Sequence, residues 1–385
     1  MNFKNKVTGM LWGGAYGDAL GAPIEKLTYK EKKEKYGFVD KLSTKWWKSK
    51  AISNGRVRGN GIFTDDTLFT LCLLNIYNKL KRNLDAWDLN KYLVEEIYFK
   101  KVYIPELKKK STLLERAFYP EKYIFLKNAI GSSDPRSAGV GNAVNCGSAM
   151  FAAPIGAVNA CDPEKAYNEA INFFSAHQHS YGLEAAGVMA ACIASSFLDE
   201  INENKIIEIS INIAKDGTKA ALSDIYNTAL KEQKNRDDKD YIVQKFHEVL
   251  SKYSSVGDNF NFKKENCGKI NDNYIASRTK SIEELPIAIG YLALHGNNYQ
   301  QSIFDAVNSG RDVDSIGTML GSIYGTLYGD NIISKKDKKL ITKNNKYNFD
   351  TISEKFSKTC LFIHKEAENK YLEAIKQRKI IHRKH

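Results

Sequence analysis

Small residues occupy every fourth position in three stretches of this chain. They are Gly9, Gly13, Gly17 and Gly21; Gly182, Ala186, Ala190 and Ala194; and Gly317, Gly321, Gly325 and Gly329. That spacing keeps them on one face of a helix. Glycine costs about 1 kcal/mol per helical position relative to alanine, so a glycine ridge makes sense where two backbones come close, as small residues at this spacing allow. Three such ridges predict a compact, multi-helix, all-α core rather than a sheet. Two apolar runs of helical length, at 68–74 and from Ile316 onward, each follow at once on a polar, acidic cluster.

The first helix, over about 7–21, ends near Pro23, whose ring disfavours helix in the residue before it. Asp18 lies inside this apolar stretch, where an unpaired carboxylate is costly; the simplest account is that it caps a neighbouring element. Glu25 falls on a loop, where it is either solvated or placed for chemistry. Residues 37–62, with Trp46, Trp47 and several glycines, read as an irregular surface excursion. Several helices with apolar and basic faces follow over 68–130, then a loop at 134–142 and a small-residue entry into a helix at 145–156. Helical segments and polar loops alternate over 200–280, with loops at 257–259 and 271–273, and a helix opens at Glu283 and Glu284 to run over 287–294. Residues 297–308 lead into the second acidic cluster. Beyond Asp330 the chain is polar and Lys-rich, with a final helix near 361–375. No low-complexity linker divides it, which predicts one domain over 1–385: a core at about 5–330 and a polar helical extension at 331–385.

Composition changes this picture little. The chain has 385 residues, 43% of them hydrophobic and 26% charged, ordinary values for a globular protein. The net charge of +12 attracts anions such as nucleotides, but the excess is spread over several lysine-rich segments and no nucleic-acid-reading motif accompanies it. The six cysteines, Cys72, Cys146, Cys161, Cys192, Cys267 and Cys360, form no C-x-x-C pair, so neither a zinc site nor a disulfide framework is expected. Asp18 interrupts the apolar patch that could pass for a signal sequence, and no run is long enough for a membrane span. The expectation is a cytoplasmic, disulfide-free monomer or weak dimer.

The acidic clusters carry the candidate chemistry. Thr64-Asp65-Asp66-Thr67 and Asp312-Val313-Asp314-Ser315 each stand at a helix start, with Ser315 suited to cap its helix. Acidic residues there also suit the positive end of a helix. Residues two apart do not face each other on a helix, so if Asp312 and Asp314 reach one ion, at least one lies on the loop. Either cluster alone fits a capped helix start with solvated carboxylates. Together they offer four carboxylates and several hydroxyls, an oxygen donor set for one or two hard divalent cations. Gly147 and Ser148 lie in a small-residue stretch that could present backbone N–H groups to a phosphate or ribose, or pack closely against another helix. His177 and His179 precede the Gly182–Ala194 ridge; two histidines in one turn do not make a metal site.

The segments Gly17-Asp18-Ala19-Leu20-Gly21-Ala22-Pro23-Ile24-Glu25, Thr64-Asp65-Asp66-Thr67, Cys146-Gly147-Ser148-Ala149-Met150, His179 ahead of an Ala-rich helix, and Asp312-Val313-Asp314-Ser315 resemble, in order and spacing, the ADP-ribosylglycohydrolase family. Its members include the dinitrogenase reductase-activating and ADP-ribosyl-acceptor hydrolases, and the resemblance covers about residues 5–330. It implies an all-α fold with a binuclear metal cleft, two Mg²⁺ or Mn²⁺ ions, and hydrolysis of a glycosidic bond at C1″ of ADP-ribose. Family metal ligands fall on Thr64, Asp65, Asp66, Asp312, Asp314 and Ser315. The family's mobile glutamate falls on Glu25, and either Glu25 or Asp66 is the expected base. Gly147, Ser148 and His179 fall on the substrate side, and the implied partner is an ADP-ribosylated protein or an ADP-ribose-containing small molecule. Two positions depart from the family pattern. A usual Gly-Gly-Asp-Thr-Asp reads Gly310-Arg311-Asp312-Val313-Asp314, and a usual Met-Arg reads Met150-Phe151. Arg311 would hold either a substrate phosphate or a neighbouring carboxylate. Two other readings are an N-ribosyl hydrolase of small nucleosides or nucleotides, and a non-catalytic, metal-stabilised binding protein of the same fold.

Overall fold

The computed structural model describes residues 1–49, 53, 55–117, 119–131, 133–253 and 282–382. Cys267 and the loops expected at 257–259 and 271–273 lie outside the described residues. The principal helices in the first half are α1 (Phe3–Gly21), α2 (Tyr29–Tyr36), α3 (Asp65–Leu80), α4 (Tyr119–Ile130), α5 (Ala153–Val158), α6 (Pro163–Phe174) and α7 (Ser180–Ser195). The second half contributes α8 (Glu203–Ile213), α9 (Asp216–Lys231), α10 (Lys239–Ser251), α11 (Glu284–His295), α12 (Tyr299–Val307), α13 (Val313–Tyr328), α14 (Lys335–Asn345) and α15 (Phe349–His382). A short antiparallel hairpin, β1 (Lys101–Ile104) and β2 (Lys109–Thr112), pairs Lys101 with Thr112 and Ile104 with Lys109. It is the one sheet among the described residues, and it stands where only helices were expected. The all-α fold class holds.

The first and last glycine ridges face each other. A Cβ built on Gly9 would lie 2.0 Å from the Gly325 carbonyl oxygen, one on Gly13 2.0 Å from that of Gly321, and one on Gly17 1.9 Å from that of Gly317. No side chain fits at such distances. Antiparallel α1 and α13 therefore pack backbone against backbone, the arrangement for which the ridge spacing is suited. At the end of this seam, Gly21 meets Val313 and Asp314, so the exit of α1 and the start of α13 converge. The middle ridge, Gly182 to Ala194, works differently: the small residues of α7 receive α5, and a Cβ on Gly156 would strike Ile193 and the Ala190 carbonyl.

Three boundaries differ from expectation. The lead-in at 297–308 is mostly the helix α12. The helix after the second acidic cluster starts at Val313 with Asp312 in the capping position, so Ser315 is in its first turn and is not the cap. The last helix begins at Phe349 rather than near 361. Its first half carries Phe349, Phe356, Cys360 and Ile363 into the core, where Phe349 meets Trp12 and Phe356 meets Tyr77. That buried stripe, hidden in a lysine-rich stretch, is what extends the helix backwards.

A cluster of aromatic rings lies beneath the 145–148 loop: Phe69 packs against Phe125 and Phe151, and Phe151 against Phe174. Phe151, the residue that replaces the family's arginine, is fully buried in this cluster. The loss of that charge is thus a core substitution.

Candidate active site

The site is assembled at the convergence of α1, α3 and α13. Asp18, fully buried on α1, accepts hydrogen bonds from the Thr64 and Thr67 backbone N–H groups at 2.9 and 3.1 Å, and from the Thr67 hydroxyl at 2.5 Å. It thereby caps the N-terminus of α3, as the sequence suggested, and pins that helix to α1. Burial pushes its carboxyl up to about 6, against the lowering effect of these hydrogen bonds. Thr64 is itself the N-cap of α3, and its hydroxyl lies 3.2 Å from Asp66 Oδ2.

The two acidic clusters meet. Asp66 and Asp314 are each 3% exposed. Burial, and then the charges of Asp18, Asp65 and Asp312, push the Asp66 carboxyl well above the usual range. Burial and then Glu25, Asp66 and Asp312 do the same to Asp314, with Arg58 opposing. Ligand oxygens of Glu25, Asp312 and Asp314 lie within 4.8 Å of one another. Ser315 is buried beside them and hydrogen-bonds toward Asp66. Asp66 Oδ1 is buried without a hydrogen-bond partner, and an orphaned carboxylate oxygen inside a group of like charges is the environment a cation relieves. The donors are nearly all oxygens, which suits Mg²⁺ or Mn²⁺. Cys146, Glu284 and Asp312 form an adjoining group, in which the Cys146 thiol donates to Asp312 at 3.4 Å. Burial, and then Glu284, Asp312 and Asp66, raise that thiol well above its ordinary value.

Glu25 is not a solvated loop residue. It ion-pairs with Arg58, and its backbone carbonyl accepts from Trp47 Nε1 at 3.0 Å. Arg58, which no sequence pattern singles out, is built into the same cluster. Its guanidinium donates to the Ala22 carbonyl at 3.0 Å, pairs with Glu106 at 2.7 Å and lies 3.8 Å from Asp314. Glu106 is fully buried and also binds Arg116, whose Nη2 is 2.9 Å from Asp65. Two arginines and one glutamate thus close a chain of alternating charges from Asp65 around to Glu25 and Asp314. Arg58 sits in the 37–62 segment read as a surface excursion. Irregular backbone has no periodicity, so nothing in the sequence marked it as facing inward.

Four substrate-side candidates are differently placed. The Ser148 hydroxyl is buried and bonded to His177 Nδ1 at 2.7 Å, while His177 Nε2 meets Glu121. The Gly147 N–H donates to Asn145 Oδ1 at 2.8 Å, and a Cβ there would strike Glu121. His179 sits ahead of α7, with Nε2 3.0 Å from the Asn142 carbonyl. The 145–148 loop is thus braced from inside by Glu121 and His177. Arg311 is 2% exposed and pairs with Glu283. The carboxylate partner, one of its two expected roles, is thus present as Glu283. Its backbone has φ of 69°, next to Gly310 at 95°. The arginine therefore occupies a left-handed position that favours glycine. The turn is held by the Arg311 N–H donating to Leu27 at 2.6 Å and the Lys26 N–H donating to Arg311 at 2.8 Å.

A helical fold with buried carboxylates gathered at two facing helix starts defines a class, and comparison with known proteins gives it a name. The family model for ADP-ribosylglycohydrolase matches residues 1–360, and the chain belongs to this family. It is similar to the uncharacterized protein YegU of Escherichia coli K12, 23% identical over 337 residues, spanning 85% of this chain and 89% of that protein. It is also similar to an uncharacterized protein of Archaeoglobus fulgidus, 25% identical over 328 residues, 84% of this chain and 86% of that one. Among solved structures it resembles an ADP-ribosylglycohydrolase-related protein complex, with a TM-score of 0.61 and 16% identity over 93% of this chain and 99% of that one. At that identity the likeness shows the fold. Family membership makes the chain a glycosidase-type hydrolase. Among the described residues no helix is long and apolar enough to cross a membrane.

Proposed function

We propose that this chain is a metal-dependent hydrolase of the glycosidic bond at C1″ of ADP-ribose, releasing ADP-ribose from a modified side chain or small-molecule acceptor. The observation that carries this reading is the meeting of Glu25, Asp312 and Asp314 beside the orphaned Asp66 oxygen. Thr64, Asp65, Asp66, Asp312, Asp314 and Ser315 would hold two Mg²⁺ or Mn²⁺ ions. Ions held there supply electrophilic contacts to ribose hydroxyls and to a water molecule. The protein's own part follows from general glycoside chemistry. A carboxylate, Glu25 or Asp66, takes a proton from a water whose oxygen bonds to C1″ as the bond from C1″ to the acceptor breaks through an oxocarbenium-like state. The acceptor leaves with the bonding electrons and gains a proton. Arg58 fixes where Glu25 stands, and the braced 145–148 loop shapes the adjoining wall. The protein would work in a reducing compartment; the described cysteines, Cys72, Cys146, Cys161, Cys192 and Cys360, are all free.

The direct test is incubation with Mg²⁺ and substrates carrying ADP-ribose on Arg, Ser or Asn, following free ADP-ribose by chromatography. Release that stops on chelation is expected. No release from any of the three, with metal bound, would set this substrate class aside.

A pH dependence follows from the buried carboxylates. Asp66 and Asp314 have folded-state values above the ordinary 3.8, so the metal-free protein holds their protons more tightly than the unfolded chain. Their contribution to stability is fully present below the unfolded value and is lost as pH rises through the folded ones. Divalent cations need the ionised forms and compete with those protons. The increase in Tm on adding Mn²⁺ should therefore grow as pH rises through the folded-state values of Asp66 and Asp314. Thermal scans with Mn²⁺ and with EDTA measure it; a shift that is flat or shrinks with pH contradicts the assignment of ligands.

A further inference from the structure

A cavity of about 290 Å³ lies between α2, the start of α10, and residues of α11 and α12. Its walls are apolar and aromatic: Tyr29, Tyr291, Ile242 and Val243 are all buried. Four cations reach it, Lys32, Lys33, Arg236 and Lys239, against the two carboxylates Asp240 and Asp305. Both carboxylates are engaged. Asp240 takes Tyr29 and Lys33, and Asp305 takes Lys239 at 3.1 Å and His295 at 3.0 Å. Lys32 and Arg236 have no carboxylate within ion-pair distance among the described residues.

Lys32 is the unusual one. Its side chain is 2% exposed. The ammonium donates to the Gly37 carbonyl at 3.1 Å and stands 4.8 Å over the Tyr29 ring. Three N–H donors with one carbonyl and one ring face are incompletely served, and a buried cation whose nearest carboxylates, Asp240 and Asp305, lie beyond ion-pair distance is costly. Burial lowers its affinity for a proton, to about 8, with Asp240 and Asp305 opposing and Lys33 and Lys239 adding to the shift. A ligand anion would supply the direct ion pair that Lys32 lacks. A ring on that ligand would fill the aromatic walls, which inorganic phosphate alone would leave empty. Pockets of this make-up, apolar with a few convergent polar groups, are where small molecules bind.

We propose that this cavity is a binding site for a small aromatic anion, a ring carrying a carboxylate or a phosphate, separate from the acidic cleft. The anion meets Lys32 and Arg236, and the ring stacks among Tyr29, Tyr291 and Val243. The site backs onto the cleft: Asn308 lines it, and the chain between Leu27 and Tyr29 is joined to the Gly310–Arg311 turn that presents Asp312.

The test uses phenyl phosphate and benzoate as probes, with inorganic phosphate and phenol as controls, by calorimetry on the full chain in EDTA. The chelator removes any contribution from metals in the acidic cleft, so failure here is independent of the glycohydrolase reading. At least one of the two ring-bearing anions should bind tenfold or more tightly than either control, and the tighter of them identifies the anionic group. Lys32→Met should weaken binding at least tenfold, and Val243→Trp should abolish it by filling the cavity. Because both positions are buried, Arg236→Ala on the exposed rim serves as the variant that leaves folding intact, and it should weaken binding severalfold. Ring-bearing anions that bind no better than inorganic phosphate, or affinity unchanged in Arg236→Ala, would overturn the proposal.

Discussion

Asp314→Asn is expected to lower kcat/KM by about 10³-fold and to erase the thermal stabilisation given by Mn²⁺, while raising the Tm of the metal-free protein. The three effects share one cause. Asp314 is 3% exposed, and its charge is opposed by burial and by Glu25, Asp66 and Asp312. Asparagine keeps the shape and removes the charge, so metal-free repulsion falls. Arg58 keeps Glu25 and Glu106 as partners, so it is not stranded. The same change removes an anionic ligand. Each 1.36 kcal/mol of lost transition-state stabilisation is tenfold in rate, and a metal's electrostatic contribution is several kcal/mol. A ligand present at about 100 times its Kd stabilises a fold by about 2.7 kcal/mol, and that increment should vanish. Steady-state kinetics and paired melting curves decide the matter. A metal-free Tm that drops in the variant would mean that Asp314 is structural, and the ligand set would have to be redrawn.

Gly17→Ala is expected to destabilise the protein by about 3 kcal/mol or more, beyond the usual cost of overpacking a core. The new Cβ would lie 1.9 Å from the Gly317 carbonyl oxygen and 2.3 Å from its carbon. Backbone cannot turn aside as a side chain can, so α1 and α13 must separate. Gly14→Ala is the internal control. It lies on the same helix, but its Cβ would meet the Ser322 hydroxyl at 2.6 Å, which can rotate away. Alanine is also the better helix former, so Gly14→Ala should cost far less. Urea denaturation of both variants gives the comparison. Because α13 carries Asp314 in its first turn and Asp312 at its cap, Gly17→Ala should also weaken metal binding in whatever fraction stays folded. Equal midpoints for the two variants would show that the seam tolerates separation and does not set the site.

What the sequence determined by itself is local or periodic. The four-residue ridges required close helix contacts. Thr64 required a helix start, and Asp18 inside an apolar run required a partner to cap. These follow from backbone geometry and from the cost of burying a polar group, and both leave a trace in nearby residues. The motif order also led to the family.

Tertiary structure decided which ridge meets which. The spacing of Gly9 to Gly21 is equally compatible with any small-residue partner; only the packed chain pairs it with Gly317 to Gly325. That pairing brings Glu25 to Asp314. It also decided the direction of side chains on irregular backbone. Arg58 enters the cleft and Ser148 turns inward to His177, and no period in the sequence encodes either. The pairing of Arg311 with Glu283 was likewise settled by packing: a charged side chain beside a motif reads the same whether it faces substrate or core. Its burial alone makes the difference, and burial is a property of everything that packs around it.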